Sequence, residues 1–262
     1  MAHPSHALVR AVSPRLADAE LTHLDRVPID AGRAAAQHAG YVDLLRALGH
    51  EVVEVAPAPE HPDGTFVEDA VVVVDDLAVC TRPGAASRRG EVASVRDTLH
   101  ALGVRTADVP APATIDGGDV LQVGPTVFVG LGGRTDAAGV AALEAAVHPL
   151  GRSVVPVEVT GCLHLKSGAT ALPDGTVVAV TSWLDTAPFE AAGLEVVEAP
   201  EPAGADLLLS GQRVVVSAAA PATAALVRAR GFEVHAVAID ELEKAECGVT
   251  CLSVLLDVPA RP

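Results

Sequence analysis

Apolar positions along this chain follow two alternating periods. Ala- and Leu-rich stretches with helical spacing, such as DAAGVAALEAAVHPL (136–150) and PATAALVRAR (221–230), each run into a glycine and then a short β-rich segment. The phrase recurs as ALGHEVVEV (47–55), ALGVRTADV (101–109), PLGRSVVPV (149–157), AAGLEVVEA (191–199) and ARGFEVHAV (229–237). Its glycines are Gly49, Gly103, Gly151, Gly193 and Gly231, each placed as a left-handed helix stop. Before each of the last four helices stand two apolar runs joined by turn chemistry: residues 67–81 across Asp-Asp, 119–130 across Gly-Pro, 169–181 across Asp-Gly and 206–217 across Ser-Gly. Such pairs predict hairpins.

Each unit therefore reads strand, strand, helix, strand. The fifth is split, its helix and last strand lying in 31–55 and its hairpin pairing TCLSVLLDV (250–258) with HALVRAV (6–12). A ring closed through the two ends explains that circular offset better than an open α/β sheet does. The expectation is one α/β domain over residues 1–262, a five-bladed propeller with helices outside and strands converging on an axis.

Against this pattern some polar residues stand out. Glu68 and Asp69 sit side by side in DGTFVEDAVVVV (63–74), an otherwise apolar, strand-like run. A buried carboxylate without a partner is costly, so a counter-cation is expected. Asp63, Arg88, Asp116, Asp119, Arg134, His164 and Cys251 also fall where hairpins begin or end, and a closed ring would bring those places together at the axis. Singly, each has a plain structural explanation: a strand entry, a turn in DGGD, a histidine between leucines, a solvated loop, an inert thiol. Together they make chemical sense.

Composition narrows the class. With 34 acidic against 18 basic residues and a net charge of -16, nucleic acid is a poor partner. No apolar run approaches a membrane span, and MAHPSHALVRAVSPR lacks a secretory core, so a cytoplasmic protein is expected, with no membrane partner. The four cysteines do not make a disulfide framework, and Cys247 with Cys251 lacks the second ligand pair of a structural zinc site. Oligomeric state, a homo-oligomer included, is left open.

The motifs resemble the dimethylarginine dimethylaminohydrolases, members of the guanidino-modifying superfamily with the five-bladed α/β propeller (pentein) fold. The carriers are DGTFVEDAVVV (63–73), TRPGAASRRGEV (81–92), DGGDVL (116–121), VGLGGRT (129–135), CLHLKSG (162–168) and VTCLSVL (249–255), in order and nearly end to end. ELTHL (20–24) and AAQHAGYVDLL (35–45) match the family's N-terminal segment, and the helical insertion of arginine deiminases is lacking.

The resemblance implies Cys251 as nucleophile and His164 as general acid and base. It places Asp116 opposite Asp69 around the substrate guanidinium, at a position where some relatives carry Glu. Arg88 and Arg134 would grip the substrate carboxylate, while Asp63 and the carbonyl of Leu21, on a lid loop, would take the α-amino group. Glu68 belongs to the same shell. Cys247 lies outside the nucleophile position. No metal or organic cofactor is implied, and the ligand would be a small cationic amino acid, methylated arginine.

The chemistry needs these types. A guanidinium carbon is a poor electrophile, so carboxylates must fix its plane against a thiolate through charge-assisted bonds. A cysteine of ordinary pKa, ~8.5, needs neighbouring positive charge to ionise. Hydrolysis would then pass through a covalent thiouronium to citrulline. The rival readings are an arginine deiminase or amidinotransferase of the same superfamily, and a non-catalytic binding propeller.

Overall fold

The computed structural model describes residues 5–258; the expected domain limits of 1–262 extend beyond these at both ends, into residues outside the described range. Its strands form five separate three-stranded sheets arranged as the blades of a propeller. In the first blade Val71–Val74 and Leu77–Cys80 make an antiparallel hairpin, helix Val92–Ala101 crosses over, and Arg105–Asp108 returns parallel to the second strand. Blades two to four repeat this order with Val120–Val123, Thr126–Leu131 and Ser153–Glu158, then Ala169–Ala171, Val177–Ala179 and Val196–Glu198, then Leu208–Ser210, Arg213–Ser217 and Glu233–Val237. Blade five joins the chain ends: His6–Val9 pairs antiparallel with Val254–Leu256 and parallel with Glu51–Glu54. The ring expected from the circular offset is therefore present.

Burial orders each blade from axis to rim. The first strands are largely buried and touch across blades, as Val71–Val74 does with Val254–Leu256, whereas the last strands alternate polar residues into solvent. Five hydrophobic clusters hold the ring, each shared by two neighbouring blades. One joins Val72 and Val79 to Val120 and Val129, for example, and another joins Leu208 and Val215 to Ala7 and Leu252. A three-stranded sheet buries too little alone, so each blade depends on both neighbours. The glycines that stop the helices all have positive φ, between 74° at Gly151 and 95° at Gly49.

One local expectation changes. Val67–Ala70 is a 3-10 turn, and the strand begins only at Val71. Adjacent residues of a strand point to opposite faces of one sheet. The turn instead sends Glu68 along the axis and Asp69 toward the second blade. Equivalent turns, Gly117–Asp119 and Leu165–Gly168, precede the first strands of blades two and three.

Candidate active site

At one end of the axis a narrow cleft is lined by Asp63, Asp69, Arg88, Arg134, His164 and Cys251, among others. These residues come from segments scattered along the chain: Asp69, His164 and Cys251 from turns ahead of first strands, Arg88 and Arg134 from segments that follow second strands. Cys251, three residues ahead of Val254–Leu256, is buried, and the Gly248 N–H points at its Sγ from 3.4 Å.

His164 N-caps the turn Leu165–Gly168 with extended backbone, which directs its ring at the second blade. Nε2 lies 3.0 Å from Asp116 Oδ2 and Nδ1 lies 3.6 Å from Asp69 Oδ1, so a carboxylate faces each ring nitrogen. Burial works against the imidazolium, but Asp69 and the bond to Asp116 outweigh it and push the His164 pKa up to about 10. Asp119 braces the turn from behind, accepting the Leu165 N–H at 2.9 Å and the Thr135 hydroxyl at 2.6 Å. The donor atoms of Asp69, Asp116 and His164 lie within 4.8 Å of one another, and an imidazolium between two carboxylates accounts for that cluster without an ion.

The acids have protein cations. Asp69 accepts from Arg88 Nη1 at 2.5 Å and from the Gly118 N–H at 3.0 Å. Burial would raise its pKa, but the charges of His164 and Arg88 reverse the sign and bring it to about 2. Glu68 turns the other way, to Lys166 Nζ at 2.6 Å and the Thr250 hydroxyl at 2.8 Å. Glu68 and Lys166 line a second groove, which runs between first strands of several blades, and Glu68 does not line the cleft. The counter-cation expected for this pair of acids is thus resident in the protein, as Arg88 and Lys166. Of the two acids, Glu68 alone is raised, by burial first.

Arg88 is more committed than its sequence assignment suggests. Its guanidinium also bonds Glu91 at 2.8 and 3.2 Å and the carbonyls of Asp63 and Phe66, which leaves a single Nη1 hydrogen for anything else. Arg134 is freer. Its Nη2 reaches the Thr22 hydroxyl at 3.4 Å, and its buried Nη1 makes no hydrogen bond among the described residues, pairing only loosely with Asp116 Oδ2 at 3.9 Å. Asp63 accepts the Glu20 N–H on both oxygens at 3.2 Å, and burial pushes its pKa up to about 6. Asp116 is fully buried behind the cleft, held by the Gly84 N–H at 2.9 Å. Leu21 is half-buried on the segment that crosses the mouth and is not among the cleft-lining residues.

Sequence reasoning passed over Lys166, Asp206 and Glu246. Asp206 occupies the fourth blade's copy of the turn position, two residues ahead of Leu208–Ser210, and accepts the Thr250 N–H at 2.8 Å. The repeat itself carried that signal, since every other blade contributes a site residue there. Cys247 also borders the cleft, but burial pushes its thiol well above the usual range, which leaves it poorly nucleophilic.

No family model matches the chain. A dimethylarginine dimethylaminohydrolase of Streptomyces coelicolor is 50% identical over 251 residues, covering 95% of this chain and 96% of its own. The solved dimethylarginine dimethylaminohydrolase of Pseudomonas aeruginosa, a cysteine-to-serine mutant complexed with citrulline, superimposes with a TM-score of 0.89 at 29% identity, over 97% of this chain and 100% of that one. A histidine-to-glycine dimethylarginine dimethylaminohydrolase in an adduct with S-methyl-L-thiocitrulline gives a TM-score of 0.88 at 29% identity, with the same coverage.

Proposed function

The chain belongs to the dimethylarginine dimethylaminohydrolase family, and we propose that its cleft hydrolyses Nω,Nω-dimethyl-L-arginine and monomethyl-L-arginine to L-citrulline and the corresponding amine. One observation carries the reading: a thiol, an imidazolium braced by two carboxylates and a guanidinium with one nitrogen free of hydrogen bonds converge on one cleft.

The substrate guanidinium enters against Asp69 and Asp116, whose negative charge the His164 ring also uses. A second cation there weakens their hold on the imidazolium and lowers the His164 pKa from its high resting value, which eases proton transfer. Cys251 Sγ, helped as thiolate by the Gly248 N–H, attacks the guanidinium carbon and forms a C–S bond. His164 gives its proton to the substituted nitrogen, the C–N bond breaks, and dimethylamine leaves an S-alkylthiouronium. The neutral imidazole then takes a proton from water, whose oxygen attacks the same carbon. Loss of the sulfur regenerates the thiolate and gives the ureido group of citrulline. Substrate and water become citrulline and amine, with no electrons gained or lost.

At the other end of the substrate, Arg134, its Nη1 exchanging the loose 3.9 Å pairing with Asp116 for the ligand, and the remaining hydrogen of Arg88 receive the α-carboxylate. Asp63 and the Leu21 carbonyl receive the α-amino group. A free amino acid satisfies both, while peptide-linked arginine satisfies neither.

The test is citrulline release from dimethylarginine, monomethylarginine and arginine, with Cys251→Ser as control. Turnover of the methylated substrates, lost in the serine variant while thermal unfolding is unchanged, supports the assignment. Faster release from arginine would make the protein a deiminase instead.

A further inference from the structure

One carboxylate beside the cleft has no part in the reaction and yet holds the loop across its mouth. Glu246 Oε1 accepts three consecutive backbone amides, from Thr22 at 2.9 Å, His23 at 2.5 Å and Leu24 at 2.7 Å. Its Oε2 is buried and makes no hydrogen bond among the described residues, so this carboxylate is turned over to the loop. Glu246 also stands at φ 58°, a left-handed conformation that a residue with a Cβ seldom adopts. The nucleophile's own loop is therefore bent at some cost to present this side chain.

The consequence follows from peptide geometry. The Thr22 N–H and the Leu21 carbonyl belong to one peptide unit, which is trans, so they point to opposite sides. Fastening the N–H to Glu246 turns the Leu21 oxygen away from it. One residue earlier, the Glu20 N–H is held by both oxygens of Asp63, the acid that shares the α-amino role. Leu21 is thus strung between two carboxylates, and its carbonyl has a set direction.

We propose that Glu246 is a positioning residue that aims the Leu21 carbonyl at the substrate's α-amino group. This rests on the functional reading above, in which that carbonyl takes the amine. The experiment compares wild type with Glu246→Ala and Glu246→Gly on dimethylarginine. It adds the inhibition constant of an analogue that keeps the dimethylguanidinium and carboxylate but has hydrogen in place of the α-amino group. Both variants should raise KM for dimethylarginine about tenfold, the worth of one charge-assisted hydrogen bond, with kcat within about twofold. The analogue's inhibition constant should stay at the wild-type value. The glycine variant also relieves the positive φ, so its melting temperature should match or exceed that of the alanine variant, which separates aiming from folding. An unchanged KM, or an equal loss for substrate and analogue, would overturn the proposal. Failure of the wild type to release citrulline would instead overturn the functional reading.

Discussion

A threonine hydroxyl has one proton to give, and at Thr250 two buried carboxylates compete for it. Its Oγ1 lies 2.8 Å from Glu68 Oε2 and 3.2 Å from Asp206 Oδ2. Glu68, paired with Lys166, takes that proton at the shorter distance and leaves Asp206 the weaker share of it. Burial first, and then the charge of Glu68, push the Asp206 pKa up to about 7. A carboxyl whose folded pKa lies above its unfolded one favours the fold when protonated, so stability falls as pH rises from about 4 through 7. Asp206→Asn replaces the titrating carboxyl with a neutral amide. It should shrink the fall in melting temperature between pH 5 and pH 8, and a wild-type slope would refute the protonated form. His164 continues the trend: its raised pKa gives stability that is full below about 6.5 and is lost as pH climbs through 10. In His164→Gln the alkaline loss should flatten and citrulline release should fall at least about a hundredfold, the usual worth of a general acid–base. Cys251, His164 and Asp116 were legible because each sits in a short motif. The raised pKa of Asp206 was not, because it comes from burial and from Glu68, which meets it only through Thr250, 44 residues away. Likewise Arg88 reads from sequence as a free anion grip, since Glu91 is the one local partner and Asp69, which also holds it, is 19 residues away.

At the scale of elements, glycine does two different jobs in this fold, and substitution tells them apart. Gly103 ends its helix at φ 75° with open space where a Cβ would go, so Gly103→Ala meets only backbone cost. About 1 kcal/mol of stability should be lost, measured by denaturant unfolding, with activity intact. Gly117 has ordinary backbone, but a Cβ there would lie 1.9 Å from the Glu68 carbonyl oxygen. The turns that carry Glu68 and Asp69 on one blade and Asp119 on the next are in contact at that point. Gly117→Ala must push them apart, and should cost about 3 kcal/mol or more along with most of the activity. If the two variants lost the same stability, close approach would not be what glycine provides there. The helix stops were readable because one phrase recurs five times. The turn at Val67–Ala70 was hidden because four valines follow it, and β-rich composition says nothing about where pairing starts.

The whole molecule is a ring in which no blade stands alone, and its seam is where the chain begins and ends. His6–Val9 is the central strand of blade five, between Val254–Leu256 and Glu51–Glu54. Ser5 N–H reaches Asp257 Oδ1 at 3.0 Å, and Val258 N–H reaches the Ser5 hydroxyl at 3.3 Å, so the described ends are neighbours. Closure was legible because a hairpin half was left over at each end of the sequence, an offset that only a circle resolves. It has an energetic meaning too. The cluster that carries Cys251 joins blade four to blade five, and the next joins blade five to blade one, so the seam supports the nucleophile from both sides. Removing residues 1–9 takes away a central strand and, with it, Ala7 and Val9 from one shared cluster and Leu8 from the next, and should yield protein with no cooperative melt and no citrulline release. A circular permutant keeps every contact: the ends joined by a short linker, new ends opened between Gly211 and Gln212 in an exposed hairpin turn. It should release citrulline at a rate within about threefold of the parent. Loss of the permutant's activity with a native melting transition would mean that the covalent seam, rather than the packed ring, holds Cys251 in place.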